Sequence, residues 1–424
     1  MKLFETEYFR YKENKLYCES VPVNKLAKEY DTPLYVYSKN HIAEKYKEFT
    51  EAFSGIDHRI FYASKSNFNL SIIALLNKLG AGIDVNSGGE LFRALKAGVN
   101  PKDIILTGVG KNADEIKMGL EQGVSLIKAE SLQEIEFINR IAETLGVIAP
   151  LAIRVNPDVN PKTHPYISTG LSENKFGISS KEAVNAYLKA SQMPNISLRG
   201  IDMHIGSQIV EISPYLEAVE KLAELYLKLK KNGIYLKHFD IGGGFGVKYF
   251  EENPFSPKEL ADAIIPVVKD LNCRLDFEPG RYFMANAGIL VSKVLYTKQN
   301  GDKNFVVIDA AMTDLLRPSL YKAYHHIQPV VIKERDDIIA DIVGPVCETG
   351  DYLGKKREIS KVKPGELLAV MSSGAYGMVM ASNYNARRRA AEILVDDYEH
   401  YVIRKRETFD DLIKGEMIAG DVIK

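Results

Sequence analysis

Asp276-Phe277-Glu278-Pro279-Gly280-Arg281 closes a strand-like run and then turns sharply at Pro279-Gly280. Upstream of it, apolar and β-branched runs of the same kind recur at 59–63, 82–85, 104–107, 124–129, 150–155, 198–204 and 236–241, which makes 274–277 the eighth. Helical patterns lie between them. The clearest is 215–229, where apolar residues return at 215, 218, 219, 222, 223, 226 and 229 with charges between. Eight strands alternating with helices over roughly 250 residues is the size of a (β/α)8 TIM-type barrel, in the α/β class. An open doubly wound sheet carries the same alternation, and periodicity does not separate the two.

Beyond Arg281 the pattern changes. Runs at 288–296, 305–308, 329–332, 338–343 and 366–371 follow one another without long helices, which predicts a second, C-terminal β-rich domain, a sandwich or a barrel. A short strand pattern at 15–19 is expected to pair with it. The expected organisation is a segment 1–35 joining the C-terminal β domain, a barrel over 36–282 and the β domain over 283–424. A chain of 424 residues exceeds one ordinary core, so two domains are expected unless one is a barrel.

Hydrophobic content of 46% and charged content of 26% describe a soluble globular protein. The 55 basic and 56 acidic residues leave a net charge of −1, so no basic surplus argues for nucleic acid or an anionic membrane. The first residues hold no apolar signal core, and no apolar run is long enough to span a bilayer. Cys18, Cys273 and Cys347 are odd in number and widely spaced. They suit a reducing cytoplasm and neither a disulfide framework nor a structural zinc site, so no metal is expected.

In a parallel barrel the chemistry lies at the C-terminal ends of the strands. Tyr62-Ala63-Ser64-Lys65-Ser66-Asn67 follows the first run and Asp84-Val85-Asn86-Ser87-Gly88-Gly89-Glu90 the second. Ala129-Glu130-Ser131 follows the fourth, Arg154-Val155-Asn156-Pro157 the fifth and His204-Ile205-Gly206-Ser207-Gln208 the sixth. Asp240-Ile241-Gly242-Gly243-Gly244-Phe245-Gly246 follows the seventh, and Glu278 begins the eighth turn. Each has an ordinary reading alone: a solvated lysine, a tight βα turn, a core histidine, a helix-capping serine. On a barrel they would face one another around one mouth.

An acid at such a strand end can hold a protonated ring nitrogen, and the next peptide N–H groups can hold a phosphate. That pairing points to pyridoxal 5'-phosphate. A partly buried Lys65 gives up its charge readily and can form an imine with an aldehyde cofactor. The glycines of 242–246 let backbone N–H groups approach a phosphate closely. They lack the order and the early βαβ context of a dinucleotide fingerprint. His204 can stack on a flat ring, and Ser207 can donate to phosphate. Glu278 sets the type of chemistry. A carboxylate keeps the ring nitrogen protonated and makes the ring a strong electron sink. This favours decarboxylation over racemisation.

With these motifs, and with Cys347-Glu348-Thr349-Gly350-Asp351 and Gly374-Ala375-Tyr376-Gly377, the chain resembles the barrel-type, alanine-racemase-fold pyridoxal phosphate decarboxylases over essentially its whole length. The resemblance implies a homodimer with two shared sites. It implies Lys65 as the residue that holds the cofactor as an imine, His204 on its ring and Glu278 on its nitrogen. It implies a phosphate held by Ser207, Gly243 and Gly244 of the glycine run, the N–H groups of Gly280 and Arg281, and Tyr376. Asp84 either steers Lys65 electrostatically or makes a structural hydrogen bond to a neighbouring turn.

Arg317-Pro318-Ser319-Leu320-Tyr321 places a guanidinium and a phenol one helical turn apart. Arg281 can add a second fork, Glu348 can bind an ammonium, and Tyr376 lies in the same set. That set suits a distal group that is itself an amino acid. The expected reaction is decarboxylation of meso-2,6-diaminopimelate to L-lysine and carbon dioxide. Cys347 is the candidate acid that reprotonates Cα, against the ordinary reading of a buried thiol. Carboxynorspermidine, ornithine or arginine are the alternative substrates, and a non-catalytic cofactor-binding relative is the alternative class. Two details depart from or add to the pattern. Lys128-Ala129-Glu130-Ser131 stands where the family has an aliphatic run into Glu-Ser, and His325 and His326 read as loop residues near the subunit contact.

Overall fold

The computed structural model describes residues 2–161, 169–170 and 174–420. The chain divides into two compact units, His41–Ala285 and a second that joins the residues up to Asn40 to those from Asn286 on. The chain thus starts in one unit, builds the other, and returns.

At the N-terminus β1 (Phe9–Lys12), β2 (Lys15–Cys18) and β3 (Val21–Pro22) form a small antiparallel sheet. β4 (Leu34–Ser38) is buried along its whole length. It straddles the boundary expected at 35.

The His41–Ala285 unit holds β5 (His58–Ala63), β6 (Gly82–Val85), β7 (Ile104–Leu106), β8 (Leu126–Ala129), β9 (Ala149–Asn156), the two-residue β10 (Ile178–Ser179), β11 (Ile196–Asp202), β12 (His238–Asp240) and β13 (Arg274–Phe277). Apart from β10, which edges β9, the strands run in the order β9-β11-β12-β13-β5-β6-β7-β8, and β8 pairs back to β9. Every pairing is parallel. The ring is closed, so this is the eight-stranded barrel and the open sheet is excluded. In register, Asp202 faces Asp240 and Asp240 faces Asp276 across β11, β12 and β13.

The turns leaving the strands owe their form to caps. Ser87 accepts from the Glu90 N–H, Ser131 from the Glu134 N–H, and Asn112–Glu115 and Ser256–Glu259 form reciprocal capping boxes. Each cap contributes about 1 kcal/mol, and those at Ser87 and Ser131 start a helix directly past a strand end. Helix Ser213–Lys231 buries Tyr215, Ala218, Val219, Leu222, Ala223, Tyr226 and Leu229, the face its periodicity predicts. Helix Lys39–Ala52 sets Phe49 against Phe245 and Phe277, with ring centroids 5.0 and 5.1 Å away.

The other unit is built around β14 (Gly288–Asn300). After it come β15 (Lys303–Ile308), β16 (Ile327–Pro329), β17 (Asp337–Val343), β18 (Tyr352–Ser360), β19 (Leu367–Val370), β20 (Ala391–Asp396) and β21 (Glu399–Arg404). The sheet runs β18-β17-β15-β14-β4-β20-β21, with β19 branching from β14 and β16 from β19. β4 lies between β14 and β20, which binds the N-terminal segment into this sheet. The expected run at 15–19 forms β2 and reaches the later strands through the Leu16 N–H on the Val330 carbonyl at 2.8 Å.

Besides β1, β3 and β4, three later strands of this unit escape the sequence reading. β18 (YLGKKREIS) and β21 are edge strands rich in charge, with no apolar alternation to reveal them. β20 is interrupted by Glu392, which is fully buried and binds the Tyr37 hydroxyl at 2.8 Å as well as Arg404. The run expected at 329–332 shifts to Ile327–Pro329, the residues that pair with β19. No helix among the described residues is long and apolar enough to cross a membrane.

Candidate active site

The polar turns at the barrel mouth are laced together by backbone hydrogen bonds. The Ala63 N–H donates to Pro279, the Glu278 N–H to Gly242 at 2.8 Å, and the Ile209 N–H to Gly244 at 2.9 Å. Lys65, Glu278, the glycine run and His204 therefore stand on the ends of four neighbouring strands, β5, β13, β12 and β11. The glycines are required by this lacing. A Cβ on Gly243 would sit 2.0 Å from the Glu278 carbonyl oxygen, and one on Gly244, where φ is +97°, would sit 2.1 Å from that of Gly206.

Lys65 lies in the short turn Ser64–Ser66 with its side chain about one-third exposed. Its Nζ is 3.7 Å from Asp84 Oδ2. Asp84 is fully buried on β6, and its Oδ1 accepts from the Thr107 hydroxyl. Asp84 thus stands beside Lys65 and also accepts a hydrogen bond from Thr107, next to the strand β7. Burial and the nearby Glu278 push its carboxyl up to about 7, against the pull of Lys65 and Lys128.

His204 Nδ1 accepts the Gly243 N–H at 3.1 Å, so Nε2 carries the ring hydrogen. Its deep setting, with Lys65, Arg154 and Lys128 nearby, holds the imidazole neutral. Ser207 accepts from Arg281 Nη2 at 2.9 Å, and Arg281 Nη1 donates to the Tyr249 hydroxyl at 2.6 Å. Other expected mouth residues are absorbed by structure. Glu90 accepts from Ser64 and the Asn86 N–H, and Glu130 pairs with Arg154 at 3.1 Å.

The largest feature missed from sequence lies beneath the mouth. Lys128 is fully buried on β8, and its Nζ sits 2.8 Å from Asp202, 2.5 Å from Asp240 and 2.5 Å from Glu278. The only sequence signal was that a lysine replaced an aliphatic residue. One ammonium faces three carboxylates, and they do not share the charge equally. Burial drives Asp240 well above the ordinary range and Asp202 to about 6, each opposed by Lys128. Glu278, despite burial, is lowered by Lys128 and Lys65 and keeps its charge. Removing one partner of such a buried set costs about 3–5 kcal/mol, because the others remain uncompensated.

In the second unit Arg317 and Tyr321 do share a short helix, Arg317–Tyr321. Arg317 is buried, and its Nη1 lies 2.7 Å from His325 Nε2. His325 lies in the irregular segment before β16, as a loop residue, and is fully buried. His326 lies 3.1 Å from the Tyr324 hydroxyl, and burial lowers its pKa to about 4. Ser319 donates to the Gly350 carbonyl at 2.6 Å and ties this helix to the 346–351 loop. That loop wraps the buried Asp351, which accepts the Val346 and Met312 N–H groups at 2.7 and 2.6 Å.

On this loop Cys347 is exposed, which removes the ordinary buried-thiol reading. Its N–H donates to Asn385 Oδ1 at 2.8 Å, and the neighbouring Glu348 lies 3.4 Å from the Tyr384 hydroxyl. Asn385, Ala386 and Tyr376 hold φ of +55°, +52° and +57°. Left-handed non-glycine residues cost of order 1 kcal/mol each and gather where function demands their geometry.

An amine, an ionised carboxylate, a neutral imidazole and a hydroxyl–guanidinium pair thus stand on adjoining strand ends. Glu278 Oε1 is taken by Lys128, while Oε2 carries no hydrogen bond among the described residues. This donor set fits a flat, phosphorylated aldehyde with a basic ring nitrogen, and it defines a barrel protein of the pyridoxal phosphate class. Residues 39–285 match the pyridoxal binding domain of the pyridoxal-dependent decarboxylases. The chain is 48% identical over 411 residues to the diaminopimelate decarboxylase of Aquifex aeolicus (strain VF5), covering 97% of each chain. A diaminopimelate decarboxylase structure from M. jannaschii in complex with L-lysine superposes with a TM-score of 0.94 at 39% identity, covering 98% of this chain and 99% of the other. One from Helicobacter pylori, also complexed with L-lysine, gives 0.89 at 41% identity, covering 92% and 98%. The chain belongs to the pyridoxal-dependent decarboxylases and, among them, to the diaminopimelate decarboxylase family.

Proposed function

We infer that this protein decarboxylates meso-2,6-diaminopimelate to L-lysine and carbon dioxide with bound pyridoxal 5'-phosphate, the closing step of lysine synthesis. The observation that carries the reading is the pairing of Lys65 with Glu278. The two stand on adjacent strand ends joined by the Ala63–Pro279 hydrogen bond, and Glu278 is held ionised beside them. Bound there, the cofactor supplies a protonated pyridine ring that accepts the electron pair released at Cα as carbon dioxide leaves.

The chain's residues do the rest. Lys65 is the amine that holds the cofactor's aldehyde carbon, with Asp84 beside it. Glu278 holds the proton on the ring nitrogen, and the neutral His204 offers a flat face to the ring. Ser207, Gly243, Gly244, Gly280, Arg281 and Tyr376 hold the phosphate. Arg317, Tyr321 and Glu348, with Arg281 and Tyr376, receive the distal amino-acid end. A fork such as Arg317 matches the distal carboxylate, which ornithine, lysine and arginine lack.

Cys347 returns a proton to Cα. Its exposure on a loop supports a site completed by a second copy, and so a homodimer. Three free thiols and a biosynthetic amino-acid reaction suit the cytoplasm. The deciding experiment is release of lysine and carbon dioxide from meso-diaminopimelate by the cofactor-loaded protein, with ornithine, arginine, lysine and carboxynorspermidine alongside. Turnover confined to meso-diaminopimelate supports the reading. Turnover of another of these substrates instead would overturn the role given to Arg317.

A further inference from the structure

Lys128 reaches across the barrel from β8 to three consecutive strands. Asp202 ends β11 two residues before His204. Asp240 ends β12, and its Oδ1 accepts the Gly242 N–H at 2.8 Å while its Oδ2 takes the ammonium. Glu278 follows β13. One side chain thus anchors the bases of the histidine, the glycine turn and the ring-facing acid. The three N–H donors of an ammonium match the three carboxylates one to one. The three carboxylates could also hold a metal ion, their oxygens lying within 4.8 Å of one another. In this chain the lysine ammonium fills that place.

We propose that Lys128 is a positioning residue for the decarboxylation: it grips Oε1 of Glu278 and keeps that carboxylate ionised, so that Oε2 holds the proton on the cofactor's ring nitrogen. This rests on the cofactor reading above and deepens it. Two effects combine. The contact through Oε1 restrains the carboxylate's rotation and leaves Oε2 for the ring nitrogen. The ammonium is also the shared countercharge of Asp202 and Asp240, whose carboxyls burial and the charge of Glu278 push up. Around this cluster stand Arg154 on β9, Asp276 on β13 and Lys65 at the mouth, which act on one or more of its members, and Asp84 on β6, on which Glu278 and Lys128 act. The acids outnumber the cations. The proton balance of the barrel interior therefore turns on Lys128, the one cation among these that touches three acids.

The test uses the full-length protein loaded with pyridoxal phosphate labelled with 15N in the ring. The readouts are the ring-nitrogen resonance, which reports its protonation directly, the cofactor dissociation constant and kcat. In the parent protein the nitrogen is expected protonated. In Lys128→Met it should move to the unprotonated position or an average with it, with kcat down about a hundredfold. In a Glu278→Gln background, Lys128→Met should change neither the resonance nor kcat further, because its effect passes through Glu278. Where Lys128→Met does not fold, Lys128→Gln/Asp240→Asn keeps the formal net charge and sets two amides in place of the ion pair while removing the cation, and the same shift is expected. An unmoved resonance in a folded variant overturns the proposal, as do additive losses in the Glu278→Gln background. Failure of both variants to fold would make Lys128 a folding residue only. A parent protein without visible cofactor absorbance would overturn the cofactor reading instead.

Discussion

Arg317 Nη1 lies 2.7 Å from His325 Nε2, and His325 Nδ1 lies 2.9 Å from the Met371 carbonyl oxygen. A carbonyl only accepts, so Nδ1 carries the ring hydrogen and Nε2 accepts from the guanidinium. The arrangement has a consequence for binding. A neutral ring orients the arginine fork without cancelling its charge.

His325→Phe keeps the ring and removes the acceptor. It is expected to raise KM for meso-diaminopimelate about tenfold with little change in kcat, since the fork is proposed to grip the substrate alike before and during reaction. His325→Gln, which keeps an acceptor, should recover part of the loss. Steady-state kinetics decide it, and a parental KM in the Phe variant would show that His325 does not set the fork.

Lys65→Ala should abolish the visible cofactor band and activity together. Glu278→Gln should keep the band and lower kcat about a hundredfold or more, because a neutral amide no longer holds the ring nitrogen's proton. Absorbance and turnover on the same samples separate the two. Survival of the band without Lys65 would refute its assignment.

Cys347→Ala should slow turnover by about 10²–10⁴ while leaving cofactor loading unchanged, as expected for loss of a general acid. Because the loop is proposed to serve a neighbouring copy, specific activity should also fall on dilution as the assembly dissociates. Full activity in a proven monomer would contradict the shared site.

His41 is buried near Lys45, and burial lowers its pKa to about 3 from an unfolded value of 6.5. The unfolded chain then binds the proton first, so this residue costs stability as pH falls below 6.5. At pH 5 the cost is about 2 kcal/mol, from 1.36 kcal/mol per pH unit. Buried acids with raised values, Asp84 and Asp314 at about 7, act in the opposite sense over the same range. The effect must therefore be read as a difference. His41→Leu should gain melting temperature relative to the parent on going from pH 7.5 to pH 5. A pH-independent difference would place the residue's titration elsewhere.

The alternation of strands and helices, the glycine run and the Glu278 turn were legible in the sequence because they are local. Apolar periodicity and turn chemistry act over a few residues, and a strand end presents its next residues to one face. The same logic brought Lys65, His204 and Glu278 forward as candidates before any contact was known. It failed at β18 and β21, whose edge positions impose no apolar alternation, and at β20, where Glu392 is buried by partners from other strands. Tertiary structure alone decided that the sheet closes. It alone also decided which charges compensate which. Lys128 lies 74, 112 and 150 residues from Asp202, Asp240 and Glu278. A charge can lie in a barrel interior only against its countercharges, and those are chosen by which strands face each other across the barrel.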